Sequence, residues 1–422
     1  MKNIKIAVIG LGYVGLPVSV SFSKKYEVIG YDIDIKRINQ LNNYNDNTLE
    51  ITPEKLEQAL TNNLLITNLA GDISDCNIYI ITVPTPINID KTPDLKALLS
   101  ASKLVGSFLS KDDIVIYEST VFPGCTEDEC VPILEKNSNL KYNQDFFCGY
   151  SPERINPGDK NHTIDKIIKV TSGSTKDVAT IVDKLYSSVI DAGTFKATSI
   201  KVAEAAKVIE NAQRDINIAF INELAKIFSL LNIDTNDVLN AASTKWNFLN
   251  FRPGLVGGHC IGVDPYYLAD KSKKAGYNPE IILAGRKVND EMGSFIADEV
   301  INLLNNQQKV LEDSEVLLMG ITFKENCPDY RNTRVIDIIN RLKKSGLEPD
   351  IFDPWIKDDS FKKEHDIIIL SKMPNKKYDA IILAVGHEVF NKIDLLKYKK
   401  DKESIVYDVK GFLDKELTTK RL

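Results

Sequence analysis

Residues 4–32 read IKIAVIGLGYVGLPVSVSFSKKYEVIGYD, and this stretch decides the fold of the first part of the chain. Its beginning, Ile4–Ile9, is a largely apolar, β-branched run that is typical of a buried strand in a parallel sheet. The glycine-rich turn Gly10–Gly15 follows and opens a helix. A second apolar run, Val28–Tyr31, ends in Asp32. This order of strand, turn, helix and strand predicts a βαβ unit.

The glycine spacing matches a dinucleotide-binding loop. In such a loop the first glycine, Gly10, makes a tight turn, the second, Gly12, admits the pyrophosphate, and the third, Gly15, lets helix and strand pack closely. The helix N-terminus attracts the phosphates, and a carboxylate about 20 residues on, here Asp32, binds the ribose hydroxyls. Because an acidic residue would repel the extra phosphate of NADP, we expect NAD as the cofactor.

Other residues are candidates for the same NAD site. Tyr13 and Val14 lie inside the loop. Arg37 is a candidate neighbour of the adenine or the ribose, and an exposed helix arginine is the alternative reading of that residue.

Three further apolar runs predict strands of the same sheet: Asn77–Val83, Asp113–Tyr117 and Phe146–Tyr150. The residues that follow them are Pro84 with Thr85, Thr120, and Glu153 with Arg154. Because ligands bind at the carboxyl edge of such a sheet, we expect Pro84, Thr85 and Thr120 near NAD. Thr120 and Glu153 are also candidates for the reaction itself. Each of these residues could instead be a simple turn or cap residue.

A long helix is predicted from a cap at Thr198 or Ser199 to about Leu231. Four polar residues on it are spaced to share one face: Glu204, Lys207, Asn211 and Arg214. A polar stripe is usually solvated, but the other faces are rich in alanine and apolar residues, which indicates a buried central helix. We therefore expect the stripe to face a site, and the helix to offer a dimer surface.

The stretch Val256–Leu268 reads VGGHCIGVDPYYL. Gly257 and Gly258 permit unusual backbone conformations or close approach of a ligand. Cys260 would be a strong nucleophile once ionised, and Asp264 follows it by four residues. The alternative is a buried cysteine that acts as a small apolar side chain.

The last part of the chain repeats the α/β pattern after a helix from Asn278 to about Asn305. Strands are predicted at Val316–Ile321, Asp350–Phe352, Ala380–Ala384 and Ile405–Asp408, with a helix at Thr333–Lys344. This half has no GxGxxG, so we expect it to bind something other than a second dinucleotide. The predicted fold is α/β, with two Rossmann-like doubly wound parallel-sheet domains (residues 1–197 and 306–422) joined by a central long helix and helical domain (198–305).

Composition narrows the possible partners. The chain has 422 residues and a formal net charge of -6, which argues against nucleic acid or an anionic membrane as the main partner. Six cysteines and four histidines form neither a disulfide framework nor a zinc motif, so we expect no metal and reduced thiols. Glycines and Pro17 interrupt the apolar N-terminal run, so we read it as part of the fold, in a cytoplasmic protein, and not as a secretory signal.

The motifs together resemble the UDP-glucose/GDP-mannose dehydrogenase family. The resemblance rests on Gly10–Pro17, the Glu204, Lys207 and Asn211 set, Gly257–Cys260, and Phe323–Asn326 with Asp329 and Arg331. Such enzymes oxidise the C6 alcohol of a nucleotide sugar to a carboxylate with two NAD and a cysteine. Ser151–Lys160 and Cys260–Leu268 are similar to the branch that acts on UDP-N-acetylhexosamines (UDP-N-acetylglucosamine or UDP-N-acetylgalactosamine) in bacterial capsule, Vi-type and O-antigen synthesis.

The resemblance implies a role for each motif residue. Lys207 and Asn211 would hold the C6 oxygen as it gains negative charge, and Cys260 would attack the aldehyde to form a thiohemiacetal and then a thioester. Some combination of Asp264, Thr120 and Glu153 would activate the hydrolytic water. Substrate contacts are expected from Glu153, Arg154, Lys207, Asn211, Arg214, Gly257 and Lys324, with Arg252 reaching the phosphates across a homodimer. Arg331 would contact the cofactor.

Two positions depart from the relatives that act on UDP-glucose. Pro157 stands where they have a second glutamate, and Val263 stands where they have a lysine. UDP-glucose is therefore a doubtful substrate. The alternatives are another nucleotide sugar (UDP-ManNAc, UDP-glucose or GDP-mannose), a two-electron NAD dehydrogenase of the β-hydroxyacid type, and a nucleotide-sensing binding protein that has lost its chemistry.

Overall fold

Parallel strands dominate both sheets of the protein, whose computed structural model describes residues 4–153, 164–258, 261–356 and 360–422. The chain divides into two compact units. The first consists of Met1–Glu210 and Tyr266–Tyr277, and the second of Asn211–Pro265 and Asn278–Leu422. The predicted three-domain division at residues 197 and 305 stays a prediction.

The first unit is built on one large sheet. Its strands are β1 (Lys5–Ile9), β2 (Glu27–Tyr31), β3 (Leu64–Thr67), β4 (Ile78–Ile81), β5 (Ile114–Tyr117), β6 (Phe147–Tyr150), β7 (Lys169–Gly173) and β8 (Thr194–Lys196). The helices that accompany them are α1 (Gly15–Ser23), α2 (Ile35–Asn42), α3 (Pro53–Thr61), α4 (Lys96–Gly106), α5 (Val131–Ser138), α6 (Lys176–Ser187) and the start of α7 (Ile200–Leu231). The predicted βαβ unit is confirmed as β1, α1 and β2.

Strand order in this sheet determines where a ligand can bind. The order is β3-β2-β1-β4-β5-β6-β7-β8, so the chain reverses its direction of winding between β1 and β4. In open α/β sheets the crevice at such a switch point, outside the carboxyl ends of the strands, is the binding site. The strands from β1 to β6 are parallel, whereas β7 runs antiparallel to β6.

The second unit contains the remaining elements. Its helices are the rest of α7, α8 (Thr235–Ala242), α10 (Glu280–Asn306), α11 (Val335–Lys344) and α12 (Ser360–His365), while α9 (Asp264–Lys274) begins in it and continues into the first unit. Its parallel sheet consists of β9 (Val316–Met319), β10 (Asp350–Phe352), β11 (Ala380–Leu383), β12 (Ile405–Asp408) and β13 (Lys420–Arg421), in the order β10-β9-β11-β12-β13. The predicted second α/β set is thereby confirmed.

Local sequence explains the ends of the central helix α7. The predicted cap is confirmed, since the Ser199 hydroxyl accepts a hydrogen bond from the Val202 amide (3.2 Å). Helix α8 is capped in the same way, by Asp234 accepting from the Asp237 amide (2.9 Å). In the described part of the chain, no helix is long and apolar enough to span a membrane.

Candidate active site

The glycine loop after β1 has the shape that a dinucleotide needs. Gly10 has a φ of +94°, and a Cβ on Gly15 would lie 1.8 Å from the Gly10 carbonyl oxygen, so both positions require glycine. A Cβ on Gly12 would have no atom within 4 Å, so this glycine faces open space. Tight packing at the first and third glycines and room at the second fit an NAD pyrophosphate at the N-terminus of α1.

Asp32 is attached to this loop. Its Oδ2 accepts a hydrogen bond from the Leu11 amide (2.7 Å), and its Oδ1 accepts one from the Asp34 amide (2.9 Å). The carboxylate therefore stands at the end of β2 beside the glycine loop, in the position from which such a residue reaches a ribose.

Arg37 is hydrogen-bonded to the same loop. Its Nε donates to the Leu11 carbonyl (2.9 Å), and its guanidinium pairs with Asp46 (2.9 Å). The side chain is buried, so the reading of Arg37 as an exposed helix arginine is wrong. Its predicted contact with the adenine or the ribose stays a prediction.

The loops after β4 and β5 are tied together at the switch-point edge. The Thr85 hydroxyl donates to the Thr120 carbonyl (2.7 Å), and the Ser119 hydroxyl donates to the Val83 carbonyl (2.6 Å). Thr85 and Thr120 thus lie together at this edge, and their predicted roles at NAD stay predictions. Pro84 is exposed in the loop after β4.

Glu153 lies in a buried group of charges that the sequence alone did not reveal. Its Oε2 accepts from the Lys169 ammonium (2.6 Å), which also donates to Glu118 Oε2 (2.7 Å). The Tyr186 hydroxyl donates to the other oxygen of Glu118. We call these four residues the Lys169 cluster. The only sequence signal for it was the position of Glu118 directly before Ser119 and Thr120.

A cavity of about 230 Å³ adjoins this cluster within the first unit. Glu153 and Lys207 both line it, and Lys207 is only 5% exposed. The other lining residues are Pro152, Ile167, Ile168, Val170 and Glu210. A carboxylate and an ammonium group at one small cavity provide an acid–base pair for a reacting hydroxyl.

Glu204, one turn earlier on α7, has a structural connection to the β5 loop. Its carboxylate accepts from the amides of Gly124 (2.5 Å) and Thr126 (2.9 Å). Burial raises the pKa of Glu204 to about 7, and these hydrogen bonds only partly oppose the shift. The predicted polar stripe is thus buried at three residues, Glu204, Lys207 and Asn211, whereas Arg214 is exposed.

In the second unit, Asn211 meets Asp264. The Asn211 amide donates to Asp264 Oδ2, and both side chains are buried. Asp264 is the first residue of α9, which we had not predicted. This hydrogen bond ties the first residue of α9 to the central helix α7.

Gly257 and Gly258, which precede the cysteine in sequence, pack against the loop after β9. A Cβ on Gly257 would lie 2.7 Å from the Asn332 carbonyl oxygen, and Gly258, with a φ of +80°, packs on the Phe323 ring. A Cβ on Gly262 would lie 3.4 Å from the Val256 carbonyl oxygen, so these two residues lie close together. Cys260 lies outside the described residues, as does Arg154, and their roles stay predictions.

The loop after β9 carries Lys324 and is held by a buried histidine. His387 Nδ1 accepts from the Asn326 amide (2.9 Å), so Nε2 carries the proton and faces Asp353 Oδ2 (3.2 Å). Lys324 is half-buried on this loop. No sequence signal pointed to His387. It follows β11 and lies far in sequence from the loop after β9, which it contacts.

Two of the predicted arginines make local contacts at the surface of the second unit. Arg331 is exposed and forms a two-pronged pair with Asp329 (2.9 and 2.6 Å). Arg252 is also exposed and donates to Asn240 (2.8 Å). Their predicted contacts with cofactor and phosphates stay predictions.

Comparison with known proteins identifies the family. The signatures of the UDP-glucose/GDP-mannose dehydrogenase family match as its NAD binding domain (residues 4–190), central domain (201–291) and UDP binding domain (317–415). A protein from Salmonella typhi named UDP-N-acetyl-D-glucosamine 6-dehydrogenase is 56% identical, covering 100% of this chain and 99% of that protein. One of the same name from Pseudomonas aeruginosa is 53% identical, covering 100% of both.

A solved structure agrees over the whole length. The UDP-D-ManNAc dehydrogenase from Pyrococcus horikoshii has a TM-score of 0.89 and 28% identity, covering 99% of this chain and 98% of that one. The predicted α/β fold and the predicted NAD-dependent nucleotide-sugar oxidoreductase are therefore confirmed. The chain belongs to the UDP-glucose/GDP-mannose dehydrogenase family.

Proposed function

We propose that this protein oxidises the C6 alcohol of UDP-N-acetyl-D-glucosamine to the carboxylate, with Cys260 as the nucleophile, for the synthesis of a surface polysaccharide. The choice of sugar rests on sequence identity over the full chain. The two relatives named UDP-N-acetyl-D-glucosamine 6-dehydrogenase are 56% and 53% identical to this protein. By contrast, a protein from Methanococcus aeolicus named UDP-N-acetyl-D-mannosamine dehydrogenase is 33% identical.

NAD, when bound, would accept one hydride from C6, so the four-electron oxidation would use two NAD, one for each oxidation. The glycine loop holds its pyrophosphate and Asp32 holds its ribose, as the open space at Gly12 and the carboxylate at the end of β2 support. Lys207 and Asn211 stabilise the C6 oxygen while negative charge develops on it. The burial of both side chains favours this role, because a charge interaction is stronger away from water.

Cys260 retains the aldehyde as a thiohemiacetal, so that the second oxidation acts on a carbon that cannot diffuse away. The resulting thioester is hydrolysed by water. Asp264, Thr120 and Glu153 are the groups that activate this water. The hydrogen bond from Asn211 holds the Asp264 carboxylate, and the Lys169 cluster holds that of Glu153.

The nucleotide part of the substrate is bound by the second unit. Lys324 contacts the nucleotide sugar from the loop that His387 braces. Arg154, Arg214 and Gly257 complete the proposed set of substrate contacts, and Arg331 contacts the cofactor.

The active form is a homodimer in which Arg252 of one subunit reaches the substrate phosphates of the other. Several apolar side chains on the second half of α7 are exposed: Phe220, Ile227, Leu230 and Leu231. A cluster of exposed apolar side chains on one helix is typical of a surface that another chain covers.

The test is an NADH assay with UDP-N-acetylglucosamine, UDP-N-acetylgalactosamine, UDP-N-acetylmannosamine and UDP-glucose, with each product identified by mass. We expect the highest kcat/KM with UDP-N-acetylglucosamine, and a product that carries a carboxylate at C6. Preference for another sugar would refute the substrate assignment, and an aldehyde as the end product would refute the four-electron reaction.

A further inference from the structure

The Lys169 cluster connects three strand ends with one helix. Glu118 follows β5, Glu153 follows β6, Lys169 begins β7, and Tyr186 lies on α6. Because β7 runs antiparallel to β6, its first residue lies at the edge where β5 and β6 end. This reversal brings a lysine to the ligand-binding edge of an otherwise parallel sheet.

Every charged group in the cluster is almost fully removed from water. The side chains of Glu118, Lys169 and Glu153 are 0%, 3% and 6% exposed. A buried charge is tolerated only when it is paired and hydrogen-bonded. Lys169 meets this condition for both carboxylates at once, and the Tyr186 hydroxyl satisfies the second oxygen of Glu118.

The charges of the cluster are uneven. Two carboxylates share one ammonium group. Burial raises the pKa of Glu118, and Lys169 opposes that rise. Burial alone would lower the pKa of Lys169, but the two carboxylates outweigh it and raise that pKa, so Lys169 stays charged.

From this geometry we infer that Lys169 is a positioning residue for Glu153 in the hydrolysis of the thioester. The inference rests on the proposed function. Lys169 pairs with the Glu153 carboxylate and fixes it at the cavity that Lys207 also lines, while Glu118 helps to keep Lys169 charged. In the step itself, water bonds to the acyl carbon and gives a proton to Glu153. The C–S bond breaks, Cys260 leaves as a thiolate, and the sugar carries the new carboxyl group.

Removing the ammonium group should slow hydrolysis without slowing the oxidations. In Lys169→Met we expect a burst of two NADH per active site, followed by steady turnover that is at least about 10-fold slower than in the wild type. Intact-protein mass spectrometry should detect the sugar acyl group that accumulates on the enzyme. The KM for the sugar should fall together with kcat while kcat/KM stays within about 2-fold, because the slowed step follows both oxidations.

The pH profile separates positioning from a merely structural role. In the described part of the chain, the charged groups facing Glu153 are Lys169 and Glu118 in the cluster, with Lys207 and Glu210 around the cavity. Loss of the cation in Lys169→Met favours proton uptake by the remaining carboxylates, so the acid limb of kcat should move to higher pH. Loss of a neighbouring negative charge in Glu118→Gln should move it to lower pH. Lys169→Arg, which keeps the charge, should restore part of the turnover.

Lys196→Met is the matched control, since Lys196 is an exposed lysine on the neighbouring strand β8, and it should behave as the wild type. The inference would be overturned if the NADH burst of Lys169→Met shrank in proportion to its steady turnover. It would also be overturned if the acid limbs of kcat in Lys169→Met and Glu118→Gln moved in the same direction. If Lys169→Met does not fold, the pH profiles of Glu118→Gln and Lys169→Arg decide the question. Failure of the proposed function is distinguishable, because the wild type would then release only one NADH per sugar.

Discussion

Individual glycines of the loop after β1 have separable roles. A Cβ at Gly15 would meet the Gly10 carbonyl oxygen at 1.8 Å and the Thr82 hydroxyl at 2.5 Å, so Gly15→Ala should destabilise the protein by about 1–3 kcal/mol or more. Gly12→Ala meets only open space and should melt like the wild type, but it should weaken NAD binding at least about 10-fold because its methyl group would occupy the position that we propose for the pyrophosphate.

Thermal melting and NAD titration of the two variants provide the measurement. Each variant is the control for the other, because both add the same methyl group within one loop. Normal melting of Gly15→Ala, or unchanged NAD affinity of Gly12→Ala, would contradict the assignment of packing to one glycine and ligand approach to the other.

Glu204 predicts a pH-dependent stability. Burial raises its pKa to about 7 in the folded protein, above the ordinary value of 4.5, so folding favours the protonated form. The contribution of Glu204 to the free energy of unfolding is therefore fully present below about pH 4.5. It is lost as the pH rises through 7, and the loss amounts to as much as about 3 kcal/mol. In Glu204→Gln the fall in free energy of unfolding between pH 5 and pH 8 should be smaller by about this amount.

Denaturant unfolding at the two pH values checks this prediction. Glu223→Gln is the matched control, because Glu223 is an exposed glutamate on the same helix. An equal pH dependence in the wild type and Glu204→Gln would show that the buried carboxyl group stays ionised.

At the scale of elements, the sequence predicted the units with a clear apolar pattern and missed elements that lack one. The βαβ unit, the long helix α7 and the central strands of the second sheet all follow from apolar runs that end at glycine or polar residues. Strand β7, KVTSG, has no apolar run, and it is a strand because it pairs with β6. Helix α9 was not predicted, because its first residues belong to the stretch Val256–Leu268, which we interpreted as a loop around Cys260.

The loop after β9 gives a prediction at this scale. His387→Phe keeps a ring of similar size but removes the acceptor of the partly buried Asn326 amide, which costs about 1–3 kcal/mol. The Asp353 carboxylate loses one donor and keeps the Ile321 and Thr322 amides. The loop that carries Lys324 should loosen, so the KM for the UDP-sugar should rise about 10-fold, with the KM for NAD unchanged.

Steady-state kinetics with each substrate varied in turn provides the measurement. His365→Phe is the control. This partly exposed histidine packs against the Phe361 ring in the same unit, and Phe361 is not a predicted site residue. A KM for the UDP-sugar that is the same in both variants would contradict a role of His387 in positioning the loop.

At the scale of the whole molecule, the exposed face of α7 predicts a dimer. Phe220 and Ile227 are 55% and 43% exposed and are spaced seven residues apart on the helix. Replacing both by glutamate should convert the wild-type dimer to a monomer in analytical ultracentrifugation. The control is Leu417→Glu, at an exposed leucine elsewhere in the second unit. A monomeric wild type, or a double variant that stays dimeric, would contradict this interface.

Much of the candidate site could be predicted because its residues follow strands or share a helix face. Asp32, Thr85, Thr120 and Glu153 follow strands, and Lys207 and Asn211 lie one turn apart on α7. Lys169 and His387 could not be predicted, because they meet their partners only through strand pairing. The sequence also did not predict that Arg214 is exposed, whereas the rest of the polar stripe on α7 is buried.

The amount of NADH formed per sugar, measured in the wild type and in Cys260→Ser, tests the central claim most directly. We predict two NADH and one sugar acid for each UDP-N-acetylglucosamine consumed by the wild type. Cys260→Ser should still bind the sugar and NAD but should form no sugar acid. A single NADH per sugar in the wild type, or sugar acid formed by Cys260→Ser at the wild-type rate, would contradict the account.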